Sequence, residues 1–234
     1  MELLQNKHVL IAGATGGIGM ETARLIAKNR AHLYLAGRDS EKLQTLANEL
    51  AVPAERVFQI DVTDPKAVRE MSEKIERIDI LINAVGIGII RPIDKLSEDE
   101  FRQTIDVNLN GSFYLMKNFV PAMKAAKKGL VINIPGVLGK TPMAGAAAYA
   151  ASKYGLDGMT KSIREELKRT QVRITNVYLG GVNSPFWEPI DLKVPHDKMI
   201  TTKEAARSIW FLCQQPTSGV VSEMVIQPFY HQAI

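Results

Sequence analysis

Short apolar runs alternate with amphipathic stretches along the whole sequence. The apolar runs predict strands over residues 9–12, 32–36, 57–60, 80–83, 130–134, 174–178 and 221–226. The segments between them carry apolar residues at helical spacing and predict helices near 18–29, 41–50, 65–76, 98–127, 149–169 and 202–214. Most of the strands are apolar on both faces, which is typical of a parallel sheet covered by helices on each side. The sequence therefore predicts an α/β fold whose strands are joined by right-handed crossovers.

Composition is that of a globular chain without a membrane span. The 234 residues are 46% apolar and 23% charged, enough to bury one sizeable core or two small ones. We find no linker or repeat, so we expect a single domain over residues 1–234. The longest nearly uninterrupted apolar run, residues 80–90, has 11 residues, below the ~18 that a bilayer span needs. Because residues 1–7 also lack a leader pattern, we expect a cytoplasmic protein.

The charge pattern and the cysteine and histidine content argue against a nucleic-acid-binding protein and against a metal site. The net charge is +4, but basic and acidic residues are interleaved and the longest basic run is a pair, as at Lys127 and Lys128. We therefore expect a solvated basic surface and no nucleic-acid partner, while an anionic ligand stays open. Cys213 is the only cysteine, and the four histidines are too far apart for zinc-ligand spacing, so no metal site is expected.

The turn after the first predicted strand is rich in glycine and opens a helix. It reads Gly-Ala-Thr-Gly-Gly-Ile-Gly over residues 13–19. Glycines let backbone amides and a helix N-terminus approach a pyrophosphate closely. A tight structural connection is the alternative, but the strand before the turn and the helix after it favour a dinucleotide site. The candidate cofactor contacts in this turn are Gly13, Thr15, Gly16, Gly17, Ile18 and Gly19.

Charged residues after the second and third strands bear on which dinucleotide binds. Arg38 lies where an arginine would pair with the 2′-phosphate of NADP and an acid would hold the ribose of NAD. Asp39 has another role available as the N-cap of the next helix. We therefore assign Arg38 to phosphate and favour NADP(H) over NAD(H). Asp61 could accept a bond from the adenine amino group or belong to a capping segment, and both alternatives stay open.

A tyrosine and a lysine four residues apart carry the candidate chemistry. Tyr149 and Lys153 lie at the start of a predicted helix and project from the same face. A phenol with a pKa near ~10 is a poor acid or base at neutral pH, and an adjacent ammonium would lower that pKa toward the working range. Such a pair also arises by chance, so its context decides between a catalytic and a structural role.

That context resembles the short-chain dehydrogenase/reductase family over essentially the whole chain. The shared motifs are Gly13-x-x-x-Gly17-x-Gly19, Asn83-Ala84-Val85-Gly86, Asn108 and Tyr149-x-x-x-Lys153. The resemblance implies a Rossmann-like, doubly wound sheet of seven strands in the order 3-2-1-4-5-6-7. It also implies a nicotinamide dinucleotide and hydride transfer at a carbon–oxygen centre. Further cofactor contacts implied by the resemblance are Val62, Asn83, Ala84, Gly86, Gly180, Val182 and Ser184.

The resemblance also assigns roles within the site. Tyr149 would be the proton donor, and Lys153 would tune it while bonding the nicotinamide ribose. Asn108 would kink its helix and hold a water that links Lys153 to solvent. Arg38 falls where members that prefer NADP carry their arginine.

One departure from the family pattern affects catalysis directly. Thirteen residues before the tyrosine, where the family has a serine that holds the substrate oxygen, this sequence has Gly136. Loss of one oxyanion donor costs about 100- to 1000-fold in rate, which predicts a slow enzyme rather than a dead one. Alternatively, the glycine makes room for a bulkier substrate or for one that supplies its own hydroxyl.

The segment at about 184–200 corresponds to the family's substrate loop. Phe186 and Trp187 would form apolar walls for a small carbonyl or alcohol substrate, although packing is their other interpretation. By resemblance, the helices at 98–127 and 149–169 would form a homodimer or homotetramer. Two function classes stay open. One is an NADPH-dependent carbonyl reductase or alcohol dehydrogenase, and the other is a cofactor-binding relative with weak or no turnover.

Overall fold

The computed structural model describes residues 4–216 and 218–231, and a seven-stranded sheet organises them. Its strands are β1 (His8–Ala12), β2 (His32–Gly37), β3 (Val57–Gln59), β4 (Ile80–Asn83), β5 (Gly129–Asn133), β6 (Val172–Leu179) and β9 (Glu223–Ile226). A second sheet holds β7 (Val182–Asn183) and β8 (Ile200–Thr201). The helices are α1 (Gly17–Ala27), α2 (Ser40–Glu49), α3 (Pro65–Lys74), α4 (Glu98–Ile105), α5 (Gly111–Ala125), α6 (Ala147–Leu167) and α7 (Thr202–Leu212).

The strand order across the large sheet is β3-β2-β1-β4-β5-β6-β9, and all neighbours are parallel. Because β9 is the seventh strand of this sheet, the predicted doubly wound, Rossmann-like order is confirmed. In register, Asn83 at the end of β4 lies opposite both Ala12 and Asn133. The loops that follow β1, β4 and β5 therefore leave the sheet at one edge, where ligands bind in folds of this class.

Each face of the sheet has its own core, which explains why the strands are apolar on both sides. Val9 and Ile11 of β1 pack in one cluster with residues of α1, α2 and α7. Leu10 and Ala12 pack in the other with residues of α3, α5 and α6. Alternate side chains of one strand thus enter opposite cores, as the strand pattern predicts.

Some predicted elements differ in detail. The predicted helix over 98–127 is three consecutive segments, because a π-helical turn, Asp106–Asn110, separates α4 from α5. The strands β7 and β8 were not predicted, since two residues each are too short to show a pattern. The single-domain and leader predictions include residues 1–3, 217 and 232–234, which lie outside the described residues.

The described residues contain neither a membrane-spanning helix nor a cluster of metal-ligating side chains. Over 4–216 and 218–231, no helix combines the length and the apolar character that crossing a bilayer requires. Within the same ranges, no group of three or more histidine, cysteine, aspartate or glutamate side chains could hold a metal ion.

Candidate active site

The glycine-rich turn is shaped by close backbone packing. Gly13 has φ +81°, and a Cβ atom added to it would lie 2.7 Å from the carbonyl oxygen of Ala84. A Cβ atom on Gly19 would lie 2.2 Å from the carbonyl oxygen of Gly13. Gly16 is the N-cap of α1 and makes no side-chain capping bond. The first amides of α1 therefore remain available to an anion, and this cradle fits a dinucleotide pyrophosphate.

Two further residues of the glycine-rich turn, Gly17 and Thr15, contact neighbouring segments of the chain. A Cβ atom on Gly17 would lie 3.0 Å from Cβ of Ser184, which joins the loop after β7 to the glycine-rich turn. The Thr15 side chain lies against Gly37 at the end of β2, since a Cβ atom there would be 3.1 Å from its Oγ1. Thr15 thus lies next to the residue that precedes Arg38.

Asp39 caps a helix, whereas Arg38 faces a cleft. Asp39 is the N-cap of α2 and accepts a bond from the amide of Lys42 at 3.0 Å, so the capping assignment is confirmed. Arg38 is exposed, and no carboxylate of the described residues pairs with its guanidinium. It lines a cleft of about 290 Å³ together with Asp61 and Thr63. An exposed, unpaired guanidinium in a cleft is suited to an anionic ligand.

Asp61 and Val62 border the same region in different ways. Oδ1 of Asp61 accepts bonds from the amide and hydroxyl of Thr63, at 2.9 and 2.8 Å, whereas Asp64 caps α3. Asp61 therefore shapes the capping segment without being the cap, and both sequence interpretations remain compatible. Val62 is buried beneath the cleft, where a Cβ atom on Gly111 would lie 2.6 Å from its Cγ2.

The Asn83 side chain is engaged within the protein. Its Nδ2 donates to Ser112 at 2.8 Å and to Asn133 at 3.0 Å, and its Oδ1 accepts from the amide of Val85 at 3.3 Å. These bonds hold the turn that carries Ala84 and Gly86. The structure does not bring the Asn83 amide into the crevice as a free ligand, so this residue supports the cofactor turn from below.

Asn108 lies in the π-helical turn and ties two parts of the site together. Its Oδ1 accepts from the amide of Ile87 at 2.8 Å, and its Nδ2 donates to the Ile87 carbonyl and to Ser152, both at 3.0 Å. The π turn agrees with the expected kink at this residue. The role of holding a water remains a prediction.

Tyr149 and Lys153 are neighbours on α6, as predicted. Lys153 is buried, its Nζ lies 5.4 Å from the centroid of the Tyr149 ring, and it donates to the carbonyl of Ile134 at 3.2 Å. Burial lowers the pKa of Lys153 to about 8. Burial also raises the pKa of the Tyr149 phenol above its usual value. The expected lowering of the tyrosine pKa by the ammonium is therefore not observed, because desolvation dominates both groups.

Gly86 provides the gap that Lys153 and Asn108 share. A Cβ atom there would lie 3.3 Å from Nζ of Lys153 and 3.5 Å from Oδ1 of Asn108. A larger residue would press on both polar groups. The absence of a side chain at this position thus leaves room beside the lysine ammonium and the asparagine oxygen.

Gly136 lies beside the Tyr149 hydroxyl. Its backbone conformation would be strained for any residue other than glycine. A Cβ atom at this position would be 3.8 Å from Oη of Tyr149, while the predicted contact with substrate stays a prediction. Its φ of +70° and ψ of 169° belong to a region that is essentially restricted to glycine. The loop has thus taken a path that a serine would not readily follow.

Phe186 and Trp187 lie in a short 3₁₀ turn, Pro185–Trp187, with different contacts. The Phe186 ring meets the Tyr149 ring edge-on at 5.7 Å between centroids. Trp187 packs against Phe186 at 5.3 Å and donates from Nε1 to the carbonyl of Val182 at 2.8 Å. Phe186 can therefore form the predicted apolar wall, while Trp187 anchors the loop. Gly180 packs elsewhere, against the segment after β9, since a Cβ atom on it would lie 2.6 Å from Pro228.

The family model described as short chain dehydrogenase matches residues 7–194. The chain belongs to this family. Among curated relatives, an uncharacterised oxidoreductase of Staphylococcus saprophyticus is 31% identical over 97% of this chain and 98% of its own length. An uncharacterised oxidoreductase of Staphylococcus aureus is 30% identical over 97% of this chain and 100% of its own length.

Solved structures of similar dehydrogenases cover almost the whole chain. A metagenomic short-chain oxidoreductase in complex with NADP is 30% identical, with a TM-score of 0.84 over 97% of this chain and 98% of its own. An alcohol dehydrogenase of the archaeon Thermococcus sibiricus, complexed with 5-hydroxy-NADP, is 26% identical, with a TM-score of 0.87 over 97% and 99%.

Sequence reasoning missed one polar residue of the candidate site. Ser152 is fully buried, accepts the bond from Asn108 and donates to the carbonyl of Tyr149 at 2.7 Å. It therefore connects the π turn to the first turn of α6, the helix that carries Tyr149 and Lys153. The available signal was a lone hydroxyl directly before Lys153, in a helix start made mostly of alanine.

Proposed function

We propose that the protein is an NADP(H)-dependent oxidoreductase that moves a hydride between nicotinamide and the carbonyl or alcohol carbon of a small apolar substrate. The observation that best supports this function is a cluster at the carboxyl edge of the sheet, next to the glycine-rich turn. It is formed by Tyr149, Lys153 and Asn108. The two NADP-bound or NADP-analogue-bound relatives support the cofactor class. The alcohol dehydrogenase among them supports the reaction class.

The cofactor would lie across the point where the strand order reverses. The amides at the start of α1 would meet the pyrophosphate, and Arg38 would meet the 2′-phosphate. Lys153 would bond the nicotinamide ribose from beneath Gly86. When bound, the nicotinamide supplies or accepts the hydride.

The protein's own groups would handle the proton. In the reducing direction, the Tyr149 phenol donates from Oη to the carbonyl oxygen as the alcohol forms. Burial favours the neutral phenol, which is the form a proton donor requires. Asn108 and Ser152 act as positioning residues, since each touches other protein groups. Phe186 shields the Tyr149 ring from water on one side.

Gly136 shapes both the rate and the choice of substrate. With no hydroxyl beside Oη of Tyr149, the substrate oxygen has one donor fewer than usual in the family, which costs about 100- to 1000-fold on a simple ketone. A substrate with its own hydroxyl next to the carbonyl would restore that bond. Among small, largely apolar carbonyl compounds, the proposal thus favours those with a hydroxyl next to the carbonyl over simple ketones.

A cofactor-binding protein with weak or no turnover is the second candidate function. The observation that favours it is the glycine-only backbone at Gly136, which leaves the usual serine position without a donor. The retained tyrosine, lysine and asparagine favour the enzyme, because binding alone does not require an acid beside the nicotinamide.

The experiment follows nicotinamide absorbance with NADPH or NADH against a panel of simple ketones, hydroxyketones and matching alcohols. We expect turnover with NADPH, fastest on hydroxyketones, and turnover lower by about 100-fold or more in a Tyr149→Phe variant. Cofactor affinity is measured separately by nicotinamide fluorescence. Tight NADPH binding without turnover on any compound would favour the second function, and absence of binding would contradict both.

We also propose a homodimer or homotetramer built through α5 and α6. Phe113 of α5 and Tyr154 of α6 are 40% and 43% exposed, so each helix has an aromatic side chain that a second copy could cover. Sedimentation equilibrium should give a dimer or tetramer that Phe113→Glu shifts toward monomer. A wild-type monomer at micromolar concentration would contradict this assembly.

A further inference from the structure

The cleft beside Arg38 has a second basic residue on its opposite wall. Asp99, Arg102, Gln103 and Asp106 of the helix running from α4 into the π turn all line it, facing Arg38. Their spacing of three, four and seven residues puts them on one helical face. The cleft therefore has an arginine on each wall, one after β2 and one on α4.

The carboxylates in the cleft are occupied by protein partners. Asp61 accepts from Thr63, Asp106 accepts from Asn110 at 2.8 Å, and Asp99 pairs with Arg102 at 2.5 Å. A phosphate dianion beside Arg38 would enter a cleft that also contains these acids. It would be repelled unless a second cation turned toward it.

Arg102 can supply that charge by exchanging its present partner, Asp99, for the phosphate. Its pair with Asp99 lies three residues apart on an exposed helix surface, with side chains 67% and 91% exposed. Exposed ion pairs of this kind contribute little to stability, and their side chains change partners readily. A guanidinium bound bidentately to a phosphate dianion is stronger than the same guanidinium bound to a solvated carboxylate.

We propose that Arg102 turns from Asp99 to the 2′-phosphate of NADP(H) and clamps it against Arg38, so that the two arginines together set the cofactor preference. This inference rests on the proposed function, in which the cofactor carries a 2′-phosphate. It assigns α4 a direct part in cofactor choice, in addition to its place beside the catalytic helix.

Adenosine 2′,5′-bisphosphate and adenosine 5′-monophosphate test the inference without turnover. Their dissociation constants are measured by calorimetry for the wild type, Arg102→Gln and Arg38→Gln. We expect Arg102→Gln to weaken binding of the bisphosphate by about 10-fold and binding of the monophosphate by less than about 2-fold. Lys95→Gln removes the same charge from an exposed position near α4 that does not line the cleft, and it should change neither constant appreciably.

A second variant tests the exchange itself. Asp99→Asn releases Arg102 from its carboxylate, so bisphosphate affinity should rise while monophosphate affinity stays constant. Equal losses for both ligands in Arg102→Gln, no loss at all, or weaker bisphosphate binding in Asp99→Asn would each overturn the role of Arg102. A wild type that binds the two ligands equally would instead overturn the proposed preference for NADP(H).

Discussion

Tyr149 carries the proposed proton transfer, and its hydroxyl can be removed without changing the rest of the site. Tyr149→Phe should lower turnover by about 100-fold or more while NADPH affinity stays within about 2-fold, because backbone amides and ribose contacts hold the cofactor. Steady-state kinetics and fluorescence titration measure the two effects. Tyr154→Phe is the matched control on the same helix, at a half-exposed position. Wild-type turnover in Tyr149→Phe would make this residue a packed tyrosine and would contradict the mechanism.

Lys153 links activity to pH. Because burial lowers its pKa to about 8, its ammonium is present below that pH and is lost above it. The kcat/KM for reduction should therefore be level below pH 8 and fall as pH rises through about 8. Burial raises the pKa of Tyr149, so the phenol stays protonated at the pH where the lysine titrates. A profile that stays level well above pH 8 would contradict this assignment.

The loop after β5 is the element whose conformation most limits redesign. At Gly136, a side chain would sit in a backbone region that costs about 1 to 3 kcal/mol for residues other than glycine. Gly136→Ser should therefore lower the free energy of unfolding by about that amount and fail to raise turnover to the level typical of the family. Urea denaturation and ketone kinetics test both parts.

A glycine in an ordinary helix provides the matched control for that loop. Gly158 lies in α6, and a Cβ atom there would meet nothing within 4 Å. Gly158→Ala should thus stabilise the protein by up to about 1 kcal/mol. If Gly136→Ser were as stable as the wild type and markedly faster, the loop would be adaptable and the strain argument would be wrong.

Elements with a regular period were predictable from the sequence, and irregular ones were not. The strands of the large sheet, their order and the cap at Asp39 follow from apolar runs, family motifs and capping chemistry. Neither the positive φ at Gly136 nor the bond between Ser152 and Asn108 has a periodic signal. Both depend on where distant segments of the chain meet, which local pattern does not encode.

Local sequence pattern also does not determine the pKa values of the groups in the site. The sequence predicted Tyr149 and Lys153 as a pair, but it implied that the ammonium would lower the phenol pKa. Depth of burial decides that sign, and it is a property of the packed fold. Spacing along a helix therefore predicts which groups meet, and their environment determines how they titrate.

At the scale of the whole molecule, the edge of the sheet opposite the site concentrates titratable groups. His8 and His32 pair in register at the start of β1 and β2, with ring centroids 4.8 Å apart. The Arg56 guanidinium donates to Nδ1 of His32 at 3.2 Å. Buried Asp79 accepts from the His8 amide and pairs with Arg77. This end of the fold thus brings two imidazoles, a buried carboxylate and two arginines close together.

Stability should consequently fall at mildly acid pH. Burial and the neighbouring His32 lower the pKa of His8 below 6.5, while Asp79 opposes the shift. A histidine whose pKa is lowered by folding binds its proton more readily in the unfolded chain, so its contribution to stability is present above pH 6.5 and is lost as pH falls toward the folded value. Urea midpoints measured on either side of that window should decrease on the acid side. His8→Gln should reduce the decrease, with His231→Gln at an exposed position as the matched loss of one imidazole. An identical pH dependence in His8→Gln and the wild type would show that this cluster does not couple folding to protonation.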